Sequence, residues 1–437
     1  MHTKFNRLLV SIVLLLSVFS IMIATVPSLG LAQAKLGVHS ASFVKKYDIE
    51  KNCATDQHTP LNPQTYLTHF SCGHVTQLDN GTTLRKFAMI VHEDIKVPVT
   101  LGNPSTHTPA IMFNAWTYNG SIPGPTMRMT EGDHVSVTVI NLKTNKFPHS
   151  LHMHSVHPGD VDGTMFSNQS GTIVPGHSFT YNFVAGPTGL WPYHCHMMPI
   201  AVHLNKGLYG HMIIDPVKPR PQMVELNMIM NGYDLTLQPN SDELRLPTAQ
   251  EADAMMKGGE DGQNVSESLP QEHDNQIYSL NGVAFYYDTH PIAMKMGTPY
   301  RVYLTNMLDF DFQNTFHLHG QVFQYYPSGT SKTPMETNDL VSLGQGDRGI
   351  MELKYDKPGL FMIHSHFESQ SGRGWEGLLH VSNPDTMMTM QPVATSIQTP
   401  VKSDHITGIN HNGDQPLSIA RPVPPWLLAL RSLPPSS

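Results

Sequence analysis

Charged side chains are scarce in this sequence. Asp, Glu, Lys and Arg make up 14% of its 437 residues, and 35 acidic against 27 basic groups leave a formal charge of −8. No cluster of Lys and Arg offsets that balance, so no nucleic-acid partner is expected. Cysteine occurs only three times. Beyond residue 34 no apolar run is long enough to span a bilayer, and no convincing amphipathic helix exceeds about three turns. These absences set aside a membrane bundle, a helical bundle and a basic nucleic-acid binder. What is present is histidine, 26 of them, nearly as many as Lys and Arg combined, beside 25 Met. Imidazole, thioether and an occasional thiolate are ligands that suit copper, so the composition points toward a metalloprotein. Hydrophobic residues at 39%, with 33 Gly, approach the usual globular share, and the length corresponds to two or three domains.

Residues 1–34 read as an export signal. Lys4 and Arg7 give a positive start, 8–26 is almost purely apolar, and Ala32-Gln33-Ala34 offers a small-residue cleavage site. The apolar stretch also has the length of a membrane anchor. The mature protein is therefore expected outside the cytoplasm (extracellular, periplasmic or at the outer cell surface), either soluble or tethered at its N-terminus. Export permits disulfides. Cys53 and Cys72 share a short polar stretch and pair economically, which leaves Cys195 for chemistry. The competing reading makes Cys53 and Cys72 metal ligands with His58 or His74. Asn80, Asn119, Asn168 and Asn264 open sequons that fit surface loops.

Short alternating runs broken by Gly, Pro, Asn and Asp predict an all-β chain. Strands are expected at 134–140 and 179–183, and again, after the Pro-rich linker 216–221, at 300–304 and 350–355. The two sets repeat one plan: a turn and a strand, a His-x-His, a polar stretch, a strand with Gly and Pro, and a second His-x-His. That is an internal duplication of roughly 160 residues. The expected organisation is a 35–105 extension with first strands, a domain at 106–217, a second at 222–384, a polar loop near 240–275 and a Pro/Ser/Thr-rich tail at 385–437.

Four His-x-His pairs carry the chemistry: His152/His154, His194/His196, His317/His319 and His364/His366. Residues two apart on a strand share a face, so each pair presents two imidazoles side by side. Eight imidazoles gathered as cations would repel, and metal ions taking their lone pairs remove that cost. Cys195 alternates with His194 and His196, so its sulfur points to the opposite face. There it can meet His149 and His203 in a His₂Cys site of the blue-copper kind. One strand then carries an electron-transfer site on one face and cluster ligands on the other.

These motifs resemble those of two-domain multicopper oxidases over most of 105–385. The stretch 117–126, with Gly120, Pro123, Gly124 and Pro125, is similar to the family's first-domain motif. His149-x-x-His152-x-His154, His317-x-His319-Gly320 and His364-Ser365-His366 with Gln370 resemble its ligand motifs. The resemblance implies two cupredoxin-like Greek-key β-sandwich domains and four coppers per subunit. His149, Cys195 and His203 would hold type 1 copper, His152 and His317 type 2, and His154, His194, His196, His319, His364 and His366 the type 3 pair. It implies laccase-like oxidation of a phenol, aromatic amine or metal ion coupled to reduction of O₂ to water. It further implies a homotrimer with clusters between subunits. Cys195, His194 and His196 would link the two sites, and Asp160, Asp162 and Glu368 are candidate proton relays.

One departure stands out. Leu208 occupies the position of the family's axial Met, which favours a three-coordinate type 1 site of higher potential; Met212 is the conceivable substitute. Met197/Met198, Met255/Met256 and Met387/Met388 are candidate Cu(I) contacts. The alternative is a copper nitrite reductase, which has an Asp at the position of His152 and no His at that of His196. A non-catalytic copper carrier would need an incomplete cluster.

Overall fold

The computed structural model describes residues 53–54, 60–103, 105, 107–164, 171–237 and 273–383. The export segment, the 385–437 tail, His58, Asn168, Asn264, Met255/Met256 and Met387/Met388 lie outside them, as does most of 240–275. Among the described residues the chain is all β apart from helices of at most six residues, and no helix is long and apolar enough to cross a membrane.

Four sheets form two sandwiches, and the second repeats the first. In the first, Met127–Thr130 runs parallel to Tyr209–Asp215, which pairs antiparallel with Gly189–His194, and that with His152–Met153. In the second, Ile292–Lys295, Glu376–Ser382, Gly359–His364 and Asn314–Leu318 pair in the same order and sense. The opposing sheets match as well. Thr83–Pro98 runs parallel to His134–Asn141, which is antiparallel to Ser178–Val184. Val224–Tyr233, Tyr300–Asn306 and Arg348–Leu353 reproduce that pattern. The duplication read as a shared plan is thus a duplication of strand order and direction. The expected 35–105 extension supplies part of it, because Thr83–Pro98 is a central strand of the first sandwich.

Alternation explains the cores. Val135, Val137 and Val139 point inward while Ser136 and Thr138 alternate outward, as a strand of period two requires. Tyr300–Asn306 is buried on both faces instead. Its outer face meets the first sandwich, where Tyr303 packs with Phe70, Leu190 and Ile213. A buried ion network lies there too: Glu225 accepts from Arg128 at 2.6 Å and from the Tyr303 hydroxyl at 2.7 Å, and Arg128 also donates to Asp215 at 2.7 Å. The network links the two sandwiches, and cutting one member would strand a buried charge.

Cys53 and Cys72 form a disulfide. The competing metal-ligand reading for them is excluded, and His74 lies exposed on a short strand. Asn119 corrects the sequon reading. It is buried with φ 58°, its side chain accepting from Ile90 N–H at 2.7 Å and donating to the Ala88 carbonyl at 3.2 Å, so it offers no room for a glycan. Asn80 does sit at an exposed turn. The last strand of the sequence reading, 350–355, runs instead from Arg348 to Leu353. Its polar start is held because Arg348 donates to the Leu190 carbonyl and stacks over Trp191.

Candidate metal centres

The strand Gly189–His194 and the segment following it deliver His194, Cys195 and His196 to two different sites. On the buried side, Cys195 Sγ lies 3.2 Å from His203 Nδ1 and 3.9 Å from His149 Nδ1, all three residues essentially inaccessible. His203 comes from the short helix Ile200–Asn205, whose exit at Gly207 has φ 112°. A side chain on Gly207 would collide with Ile122, so the return toward Cys195 requires glycine. Trp116 stands edge-on to both imidazoles, with ring centroids 5.3 Å from His149 and 5.0 Å from His203. Ser150 N–H donates to Cys195 Sγ at 3.3 Å.

Electrostatics mark this as a cation site. Burial alone would push the Cys195 thiol up, but the imidazoles of His203 and His149 hold it well below its ordinary value. Burial alone would likewise push His149 down, but hydrogen bonds to Cys195 and Glu93 raise it to about 9. Cys195 and Glu93 thus stand on opposite sides of the His149 imidazole, and the thiol with two imidazoles is a donor set that fits a soft, cationic metal. Leu208 is fully buried in the same core cluster as Cys195 and Trp116, and Cys195 N–H donates to its carbonyl at 3.0 Å. Met212 does not substitute for it. It pairs with Trp191, four residues before Cys195, or about 13 Å along the strand, and packs in the core.

On the other side, the His-x-His pairs meet across adjacent strands. His152 stands opposite His194, and His317 opposite His364. In each half the ring nitrogens converge: His154 Nε2 lies 3.0 Å from His194 Nε2, and His319 Nε2 lies 3.1 Å from His364 Nε2. His194 Nδ1–H donates to the Cys195 carbonyl, and His364 Nδ1–H to the Ser365 carbonyl, so each keeps an Nε2 lone pair for a metal. His152 Nδ1–H and His317 Nδ1–H donate equivalently to the carbonyls of Asp162 and Asp339. His196 and His366 complete the halves, with ring centroids 5.1 Å from His152 and 5.4 Å from His317. Burial and the neighbouring His152 lower His154 to about 4, and burial holds His194 well below its usual value. These two imidazoles are therefore neutral at pH 7, as metal ligation requires.

The position equivalent to Cys195 in the second sandwich is Ser365, which donates to Gln370 Oε1 at 2.7 Å. Only the first sandwich therefore carries the thiolate site. Asp162 is brought to the histidines, its Oδ1 3.4 Å from His152 Nδ1 and 3.6 Å from His157 Nε2. Gly163 beside it has φ 74° and lies against the Leu151 carbonyl, a close approach that allows the loop to reach His152. Asp160 and Glu368 are exposed, and no hydrogen bond or ion pair ties either carboxylate to a histidine among the described residues. Met197 and Met198 are buried, 0% and 5% exposed, so neither offers a docking thioether at the surface. Sequence reasoning missed Glu93, Trp116, Ser150, His157 and Asp339.

Comparison with known proteins accords with this geometry. Residues 103–219 and 248–385 each match a multicopper oxidase family profile. A solved multicopper oxidase is 36% identical, with a TM-score of 0.61 over 74% of this chain and 98% of its own. The chain belongs to the multicopper oxidase family. The chain is also similar to a blue copper oxidase of Nitrosomonas europaea, 25% identical with a TM-score of 0.53, over 69% of this chain and 86% of that one. The copper-containing nitrite reductase of Neisseria meningitidis serogroup B is 24% identical over 298 residues, 66% of this chain and 69% of that protein. The family is one of copper oxidoreductases, and the chain shares its all-β cupredoxin architecture.

Proposed function

We propose that this protein is an oxygen-reducing, laccase-like multicopper oxidase. It would oxidise a phenol, aromatic amine or metal ion one electron at a time near Cys195 and reduce O₂ to water at a histidine-held cluster. The observation that carries this is the fourth imidazole in each half, His196 beside His152 and His366 beside His317. A nitrite-reducing site with one catalytic copper needs three histidines and has no use for the other five. The second reading, nitrite reduction, draws on the curated relative described above.

When bound, copper supplies the one-electron transfers and the reduction of O₂. The chain supplies everything else. His149, Cys195 and His203 hold type 1 copper, and their burial excludes water from the electron-entry site. The peptide links of His194-Cys195-His196 join that site to the cluster. His152 and His317 would serve type 2 copper, and His154, His194, His196, His319, His364 and His366 the type 3 pair, four coppers in all with the type 1 site. Asp162 is the carboxylate positioned to pass protons, within reach of both His152 and His157. With Met197 and Met198 buried, that pair offers no surface thioethers to favour Cu(I) over an organic reductant.

Each half-cluster is incomplete alone. Among the described residues no ring contact or hydrogen bond joins a histidine of the first set to one of the second. His317 and His319 of the second half line an open surface cavity of about 480 Å³. Apolar side chains stand exposed beside both halves: Val156 near His154, Val322 near His319 and Phe367 next to His366, at 69%, 48% and 41%. A closed ring of subunits, each presenting its first sandwich to a neighbour's second, would bury these side chains and complete the clusters. We assign a homotrimer on this basis. Glu368 would reach a cluster only inside such a contact. The Cys53–Cys72 disulfide supports an exported protein, soluble or tethered by residues 1–34.

The test is substrate choice. Copper-loaded protein given a phenol, Fe(II) or Cu(I) should consume O₂, and given nitrite with an artificial electron donor should form no nitric oxide. Nitric oxide production without oxygen uptake would overturn the reading.

A further inference from the structure

Glu93 is absorbed by neither the ligand set nor the proton path, yet its carboxylate is 3% exposed and sits against a copper ligand. It lies in Thr83–Pro98, where a register shift between His92 and Ile95 and a φ of 56° at Asp94 form a bulge that re-aims the strand. The bulge turns Glu93 toward the loop delivering His149. Its Oε1 accepts from His149 Nε2–H at 2.8 Å and from Phe147 N–H at 2.9 Å, and its Oε2 accepts from Lys146 N–H at 2.8 Å. The same loop is pinned by Asn145, which accepts from Glu93 N–H and donates to the Val91 carbonyl. The nearby ammonium of Lys146 is more than half exposed and pairs with Asp94 instead. The Glu93 carboxylate is therefore held by N–H groups alone.

We propose that Glu93 is a positioning and potential-setting residue of the type 1 copper, an inference that rests on the type 1 assignment above. Its hydrogen bond fixes the His149 tautomer, leaving Nδ1 free on the side of Cys195. Its charge, on the far side of the same imidazole, stabilises Cu(II) relative to Cu(I) and lowers the reduction potential. That opposes Leu208, whose missing donor raises the potential. The site's driving force is thus set by a compensating pair, an absent axial ligand and a buried carboxylate.

The experiment is redox titration of the blue band in the copper-loaded native protein and in Glu93→Gln and Glu93→Asp. Glutamine keeps the size and one acceptor but loses the charge. The expected result is a shift of at least about tenfold toward the reduced form against a fixed one-electron mediator, equivalent to about 59 mV. Aspartate, which keeps the charge one methylene further back, should shift it by less. If Glu93→Gln fails to take up copper, Glu93→Asp against native protein carries the comparison. An unchanged potential in a variant with its blue band intact would overturn the inference for Glu93. A native protein that binds copper without any blue band would instead defeat the type 1 assignment, so the two failures are distinguishable.

Discussion

Cys195→Ser removes the blue absorption and turnover together. The colour of a type 1 site arises from charge transfer between thiolate sulfur and Cu(II), and Cys195 is the only described cysteine outside the disulfide. A serine at this fully buried position would still receive the Ser150 N–H. Its hydroxyl, however, is a hard donor that remains protonated, where His203 and His149 hold the thiol well below its ordinary value. The peptide path to His194 and His196 would survive, but no electron would enter it. Loss of a partner beyond the ligands themselves typically costs 10–100-fold, so removing this ligand should lower turnover by at least about 100-fold. The remaining coppers should stay bound. Visible spectra, copper content and oxygen uptake on one preparation check this, and a variant that keeps its blue band would place the electron-entry site elsewhere.

His152→Asp separates the two sites in the opposite sense. His152 shares no ring contact with His149 or His203, but stands within 5.1–5.3 Å, ring to ring, of His154, His194 and His196. An aspartate there keeps a metal-binding oxygen but is shorter, and it loses the Nδ1–H bond to the Asp162 carbonyl that aims the ring. The blue band should therefore persist unchanged while oxygen reduction falls by at least about 100-fold. Full oxygen turnover in this variant would contradict the role given to His152, and with it the distinction from a three-histidine site.

Much of the site was legible because strand geometry is local. A period of two was enough to put His152 beside His154 and Cys195 on the opposite side from His194 and His196, and the duplicated order anticipated that His317 and His364 would match His152 and His194. What escaped the reading depends on contacts between distant segments. Glu93 lies 56 residues before His149 and meets it only because a bulge redirects its strand. Asp339 lies 22 residues after His317 and mirrors Asp162 through its backbone carbonyl, which no side-chain motif reveals. Arg128 and Arg301 carry no motif in the sequence, yet both are buried where the two sandwiches meet. Asn119 fits a glycosylation motif in one dimension but serves the turn in three. The Met212 alternative, open in sequence, closes once the pairing with Trp191 fixes its height along the sheet.

The most direct measurement of the central claim is the copper content of the fully loaded protein, determined by elemental analysis against subunit concentration at its native oligomeric state. The proposed arrangement, eight cluster histidines and one thiolate site, predicts four coppers per subunit. A value of about two, one at Cys195 and one held by three histidines, would contradict the account and favour the nitrite-reducing alternative.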